Sequence, residues 1–201
     1  MNALAIDIEK LGDYQDAHII AVGFCFGDSD GNVIERKAWY ISPNERTVIE
    51  DRCKREFWDK QTGLYDYFVS QGRPAHIVYP EIAAWLATLE AKYPKIVILS
   101  DNPSYDLGGF DRMLQQYTDR LPLRYTSSHG YRWVADYSER AYALGIENAV
   151  SEAAKKRMGM TEEDKHRPEK DAEFIYHCTC IVDAVIKKKG AEIAKICSEA
   201  L

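Results

Sequence analysis

The sequence predicts an α/β protein whose mixed sheet holds three antiparallel strands followed by parallel strands, with helices flanking it. Three observations predict this. Three strand-like segments before residue 42 are joined by short turns, which makes an antiparallel meander. KIVILS at 95–100 is a short continuous apolar run, the pattern of a fully buried strand. Helical periodicity then alternates with strand-like segments toward the C-terminus. The 201 residues suit a single domain, 1–201, with an insertion expected at about 42–80.

Each element follows in order. LAIDIE (4–9) reads as a buried strand and LGDYQDA as a turn-rich link. HIIAVGFCFGD (18–28) is the second strand, and DSDGN supplies a hairpin turn with glycine at a permissive position. VIERKAWYI (33–41) is the third strand. SPNERTVIEDRCKREFWDKQ (42–61) reads as a charged helix capped by Ser42 or Asn44. PEIAAWLATLEAKYP (80–94) is an amphipathic helix, with Ile82, Trp85, Leu86 and Leu89 at helical spacing. Pro80 suits its start and Pro94 its end. After the strand 95–100, SYDLGGFDRMLQQY forms a helix with Leu107, Phe110 and Leu114 on its apolar face. YRWVADY (131–137) is one more strand. SERAYALG is a helix capped by Ser138 and stopped by Gly145, and IENAVSEAAKKRMG is a helix ended by Gly159. The last helix spans about 168–188 and stops at Gly190.

Composition bounds the function. Apolar residues make up 46%, the normal share for a protein that buries a core. No apolar run approaches the roughly 18 residues of a membrane span. MNALAIDIEK lacks a basic region and an apolar signal core, so a cytoplasmic or nuclear location is expected. The net charge of −6 argues against a protein that passively coats nucleic acid. It leaves room for an enzyme whose acids hold cations. Five cysteines are too few and too irregular for a disulfide framework. HCTC at 177–180 lacks a second pair at zinc spacing and reads as thiols on a helix.

The carboxylates carry more information. Asp7 and Glu9 lie two apart on an apolar strand, so they share one face. Two acids there repel and are costly to bury unless something positive stands between them. A divalent cation fits; a strand end where both acids reach solvent is the plain alternative. Asp101, Asp106 and Asp111 follow the buried strand, at the strand end where α/β sheets bind ligands. Asp106 and Asp111 stand about 140° apart around a helix, so they cannot both face one site. His166 and Asp171 bracket the start of the last helix, where the helix dipole alone favours an acid. His166 is expected in a mobile, exposed loop and is a usable general base. His177 and Asp183 form a rival pair, both inside that helix.

In order, DIE, NPSYD and HRPEKDA resemble the three motifs of the DEDDh branch of the DnaQ-like 3′–5′ exonucleases, a family with a ribonuclease-H-like fold. The second motif selects Asp106 over its neighbours, and Phe110 stands where relatives carry a bulky apolar residue. REFWDK and WVADYSER resemble connecting segments of a phage and prophage-type subgroup that includes relatives of a mycobacterial exoribonuclease. Lys10 departs from the threonine or phenylalanine of many relatives, and Asp101 from the histidine often found there.

The resemblance implies phosphodiester hydrolysis with two divalent cations, Mg²⁺ or Mn²⁺. It implies Asp7, Glu9, Asp106 and Asp171 as metal ligands and His166 as the base. The implied substrate is nucleic acid with a free 3′ end, RNA or DNA, single-stranded by expectation, and the product a nucleoside 5′-monophosphate. Homodimers are common in this fold, and oligomeric state is left open. Arg132, Arg140, Lys155, Lys156, Arg157 and Arg167 are candidate phosphate contacts, though most suit solvated charges. Trp58, Tyr105 and Trp133 are candidates for base stacking, with burial the expected role of Trp133. Two rival functions share the fold: an inactive nucleic-acid-binding or scaffolding module, which the intact motifs disfavour, and an endonuclease.

Overall fold

The computed structural model describes residues 2–14, 16–93, 95–125 and 132–199. Strand β1 (Asn2–Lys10) pairs antiparallel with β2 (Ile19–Gly27), and β2 with β3 (Val33–Tyr40). The Asp28 carboxylate accepts from the backbone of Asp30 and Asn32 to close the second hairpin, and Gly31 takes φ +85°. Strands β4 (Ile96–Leu99) and β5 (Val134–Ala135) add in parallel beyond β1, giving the order β3-β2-β1-β4-β5. The mixed sheet that the sequence predicts is therefore present. Helices α1 (Asp51–Glu56), α2 (Leu64–Gln71), α3 (Ala75–Lys92), α4 (Pro103–Tyr117), α5 (Tyr137–Leu144), α6 (Glu147–Met158) and α7 (Pro168–Glu199) surround it.

Alternation along β1 divides the core in two. Leu4, Ile6 and Ile8 join Phe24, Phe26 and Ile98 beneath α3 and α4, against Tyr79, Trp85 and Phe110. Phe24 meets the rings of Trp39, Trp85 and Phe110 at centroid distances of 6.0, 5.2 and 5.5 Å. Such pairs add about 0.5–1.5 kcal/mol each beyond area burial. Ala5 points the other way and joins Cys25, Val97 and Leu99 against Ala172, Ile175 and Tyr176 of α7. On that face β2 presents small residues. A Cβ on Gly23 would stand 1.9 Å from the Pro168 carbonyl carbon, and one on Gly27 2.3 Å from the Tyr176 ring. These glycines let α7 lie directly on the sheet with its first turn pressed against Gly23.

The segment 42–61 corrects the sequence reading. Residues 42–50 are not helical, and neither Ser42 nor Asn44 caps a helix. The Asn44 side chain instead accepts from Arg46 N in a local turn, and Ser42 N donates to Arg73 O. Helix α1 begins at Asp51 after Glu50. Helix α2 was not expected. It brings Phe68 to a separate apolar cluster with Leu11, Ile20, Ala21 and Trp58. Helix α3 starts at Ala75, because extended Pro74 supplies its start, and Pro80 lies in its second turn.

Three further boundaries move. Asp136, not Ser138, caps α5, its Oδ1 accepting the Ser138 backbone and hydroxyl at 2.7 Å each. This cap also ends β5, which is two residues long rather than 131–137. Helix α7 continues past Gly190 to Glu199. One glycine costs a helix interior about 1 kcal/mol, and the Lys189–Glu192 pair spans the position. Pro94 and Tyr131 lie outside the described residues. Among those described, no helix is long and apolar enough to cross a membrane.

Candidate active site

Asp7 and Glu9 stand on the α7 face of β1, as their spacing predicts. Asp7 is paired in register with Gly23, the residue against which α7 begins. That contact delivers Asp171, in the first turn of α7, to the two strand acids. Asp106 arrives from the opposite layer. It sits in the first turn of α4, which Asn102 caps by accepting from Tyr105 N. Asp106 is 2% exposed and accepts a 2.5 Å hydrogen bond from the Ser100 hydroxyl.

Two sets of potential ligand atoms result. One atom each from Glu9, His166 and Asp171 fall within 4.8 Å of one another, and so do atoms from Asp7, Asp101 and Asp106. The structure thus gathers all five residues singled out from the sequence and adds Asp101, over which the second motif had selected Asp106. Its position at the carboxyl end of β4 was the signal for it. Asp111 turns away and accepts from Leu123 N at 2.7 Å, and burial pushes its carboxyl up to about 6. It is a half-buried acceptor that faces away from the site.

His166 is seated rather than extended into solvent. Its backbone is left-handed at φ +59°, which costs a non-glycine residue about 1 kcal/mol or more. The ring lies edge-on to Phe57 with centroids 4.8 Å apart, and Nδ1 is 3.7 Å from Glu9 Oε1. The preceding turn is fixed by Thr161 and Asp164, each binding the other's backbone.

Burial and mutual repulsion dominate the electrostatics. Burial, then the charges of Glu9, Asp106, Asp171 and Asp101, hold Asp7 well above the usual carboxylate range. Burial raises Asp106 and Asp171 to about 7 each, with Glu9 adding to both and the Ser100 bond and His166 opposing. Burial also raises Glu9 and Asp101. Glu9 raises the pKa of His166. Asp7 Oδ2 is buried without a hydrogen-bond partner. An orphaned carboxylate oxygen beside four other acids suits hard divalent cations, so these residues fit such ions. A cavity of about 230 Å³ opens beside Glu9, bounded by Lys10, Arg52, Phe57 and Tyr105.

The expected substrate contacts are mostly engaged elsewhere. Arg132 is buried, paired with Glu90 at 2.5 Å and donating to the carbonyls of Leu123 and Tyr125. Arg140 pairs with Asp183, Lys155 with Glu152, and Arg157 with the Gly31 carbonyl. Arg167 stacks over the Tyr67 ring at 4.1 Å. Lys156 is exposed. Trp58 is buried and donates to the Lys10 carbonyl, whereas Trp133, expected in the core, is 80% exposed. Tyr105 is half-buried under the Lys10 ammonium, 3.6 Å from its centroid. His177 is buried beside Glu173 and Cys178 is buried, so HCTC forms no metal cluster among the described residues.

No protein-family model matches the chain, and no curated protein matches it. Solved structures do. Exonuclease I, in the structure described as suggesting how processivity is achieved, aligns at a TM-score of 0.67 and 18% identity over 91% of this chain and 41% of that one. E. coli exonuclease I in complex with a 5cy-dT13 oligonucleotide aligns at 0.67 and 17% over 93% and 41%. The zinc-bound form of its single-stranded DNA complex aligns at 0.65 and 17% over 95% and 41%. The chain therefore spans less than half the length of these proteins. At this identity the likeness concerns architecture: the chain has the ribonuclease-H-like α/β fold of exonuclease I.

Proposed function

We propose that this chain is a metal-dependent 3′–5′ exonuclease of the DEDDh type, forming one domain over 1–201 with 42–80 as an insertion. The observation that carries the reading is the convergence of Asp7, Glu9, Asp106 and Asp171, with Asp101 and His166, into two adjoining ligand sets. The sharing of a fold with a nuclease crystallised on single-stranded oligonucleotides supports it. Asp7, Glu9, Asp106 and Asp171 would hold the divalent cations, Mg²⁺ or Mn²⁺, across the two ligand sets. Bound there, such ions neutralise phosphate charge, favour a nucleophilic hydroxide and stabilise the leaving 3′-oxygen.

The protein's own groups do the rest. With Nδ1 held toward Glu9, His166 offers Nε2 as the acceptor of the attacking water's proton. Glu9 keeps that ring oriented. The cavity bounded by Phe57 and Tyr105 beside Glu9 has room for part of the terminal nucleoside, and both rings can pack on sugar or base. Hydrolysis there releases a nucleoside 5′-monophosphate.

The test uses 5′-labelled single-stranded RNA and DNA with Mn²⁺. A ladder shortening from the 3′ end, absent in Asp7→Asn, is the expected result. Cuts in a circular substrate would convert the reading to an endonuclease. No cleavage of any substrate with any metal would overturn it.

A further inference from the structure

Lys10 is a buried cation that the proposed chemistry does not use. It is 3% exposed, and no other described lysine or arginine is as deeply buried. Lysines are almost never this buried unless paired. Yet Lys10 forms no ion pair among the described residues. Its Nζ donates to the Tyr14 carbonyl at a long 3.4 Å and stands 3.6 Å from the centroid of the Tyr105 ring.

The surrounding elements hold it there. The β1–β2 pairing shifts register between Glu9 and Lys10, an irregularity of the kind that re-aims a side chain beside a site. Trp58 Nε1 and Cys53 Sγ both donate to the Lys10 carbonyl, at 3.3 and 3.7 Å, and fix the backbone after the shift. The side chain then turns to the α4 side of the sheet. A Cβ on Gly109 would stand 3.3 Å from Ile8 Cδ1 and 3.7 Å from Lys10 Cδ, so the lysine stem runs past this glycine. Asp106 precedes Gly109 by one turn on the same face of α4. The ammonium, over the ring of Tyr105, therefore lies at the turn that carries Asp106, and it borders the cavity beside Glu9. Desolvation lowers the Lys10 pKa and the Asp106 charge opposes it, so the two groups act on each other.

Asp106 belongs with Asp7 and Asp101 to one of the two sets of ligand atoms. A positive charge fixed several ångströms from such a set offsets part of its negative charge and repels any cation that enters it. We infer that Lys10 is a built-in competitor, whose ammonium lowers the affinity of the Asp7, Asp101 and Asp106 set for a divalent cation. The inference rests on the proposed cation sites and says what sets the affinity of one of them.

The test is a calorimetric titration of the full, metal-free chain with Mn²⁺, in the absence of nucleic acid. Lys10→Met keeps an unbranched stem beside Gly109 and lays a thioether against the Tyr105 ring, a contact that needs no charge. The variant should bind Mn²⁺ roughly tenfold more tightly than the parent, the order of magnitude for removing one unit charge several ångströms from a divalent ion. The sign separates charge from structure: damage to the site loosens Mn²⁺, whereas loss of a competing charge tightens it. Lys10→Gln repeats the measurement with a neutral polar side chain, should the first variant fail to fold. The Mn²⁺ concentration that gives half-maximal nuclease activity should fall in parallel. Mn²⁺ affinity unchanged or weaker in a folded neutral variant would overturn the inference. A change confined to the KM for oligonucleotide would do the same, marking Lys10 as a substrate contact. A parent that binds no Mn²⁺ would sink the proposed cation sites and this inference with them, whereas equal binding by parent and variant would sink this inference alone.

Discussion

Asp106→Asn should stabilise the metal-free protein at alkaline pH. Burial pushes the Asp106 carboxyl from 3.8 to about 7, and each pH unit of such a difference is worth 1.36 kcal/mol. Ionising it therefore costs the folded state about 4 kcal/mol at pH 8. Asparagine keeps the size and removes the charge. Part of the gain is lost, because the Ser100 hydroxyl binds an amide oxygen less strongly than a carboxylate, by about 1–1.5 kcal/mol. A net gain of about 2–3 kcal/mol remains. For a chain of this length that raises Tm by about 5–10 °C. The native carboxyl binds its proton more tightly than the unfolded one, so stability falls as pH rises from about 4 to about 7 and returns on acidification. The Asn variant's advantage should therefore shrink toward zero at pH 5. Thermal melts in EDTA at pH 8 and pH 5 measure both. A variant no more stable than the parent at pH 8, or equally favoured at both pH values, would refute the argument that Asp106 is held as a strained acid.

Mn²⁺ should raise the Tm of the parent by mass action, and Asp7→Asn should abolish most of that rise in the same melts. His166→Ala should lower turnover by about 10²-fold or more while the Mn²⁺-dependent rise persists, whereas Asp171→Ala should reduce both; nuclease assays read beside melts separate base from ligand. Gly23→Ala should cost at least 1–3 kcal/mol and weaken the Mn²⁺ response, because its methyl would displace the first turn of α7 that carries Asp171; an unchanged response in a folded variant would contradict that placement. Arg132→Met should destabilise the protein by about 1–3 kcal/mol in denaturant titrations, through the lost hydrogen bonds to the Leu123 and Tyr125 carbonyls while Arg120 keeps Glu90 paired, with no change in the salt dependence of oligonucleotide binding.

Much of the fold was legible because its signals are local. Period-two strands, the turn at Gly31 and the apolar faces of α3 and α4 each need only neighbouring residues. The failures arose where distant groups decide. Whether Trp133 is covered depends on how little of β5 forms, and Asp136 ends that strand by capping α5. Residues 42–50 have the composition of a helix, yet the Asn44 turn and the pairing of Ser42 with Arg73 take their backbone groups. In the site, the spacing of Asp7 and Glu9 fixed a shared face, but the arrival of Asp101 is tertiary. The alternation of small with large side chains in AVGFCFG was a readable signal that something lies close over β2. That something is α7, which brings Asp171.

The wider charge pattern bears on why the acids are tolerated. Cations that would neutralise such a cluster are present in this chain but engaged elsewhere. Arg36 is held by Glu173, Arg132 and Arg120 by Glu90, Arg140 by Asp183, and Arg52 by Asp13. Lys10 is the cation nearest Asp106 in effect, and it lies buried against Tyr105, where desolvation lowers its pKa and the Asp106 charge only partly restores it. Four acids on β1, α4 and α7, with Asp101 from the link after β4, thus meet with one weakened ammonium and one histidine among them. Packing forces do not require this: Ala5, Cys25 and Leu99 show that the same face of the sheet accepts apolar side chains against α7. Acids kept where apolar residues would stabilise the fold, and left without protein counter-charges, are arranged for positive charge that comes from outside the chain.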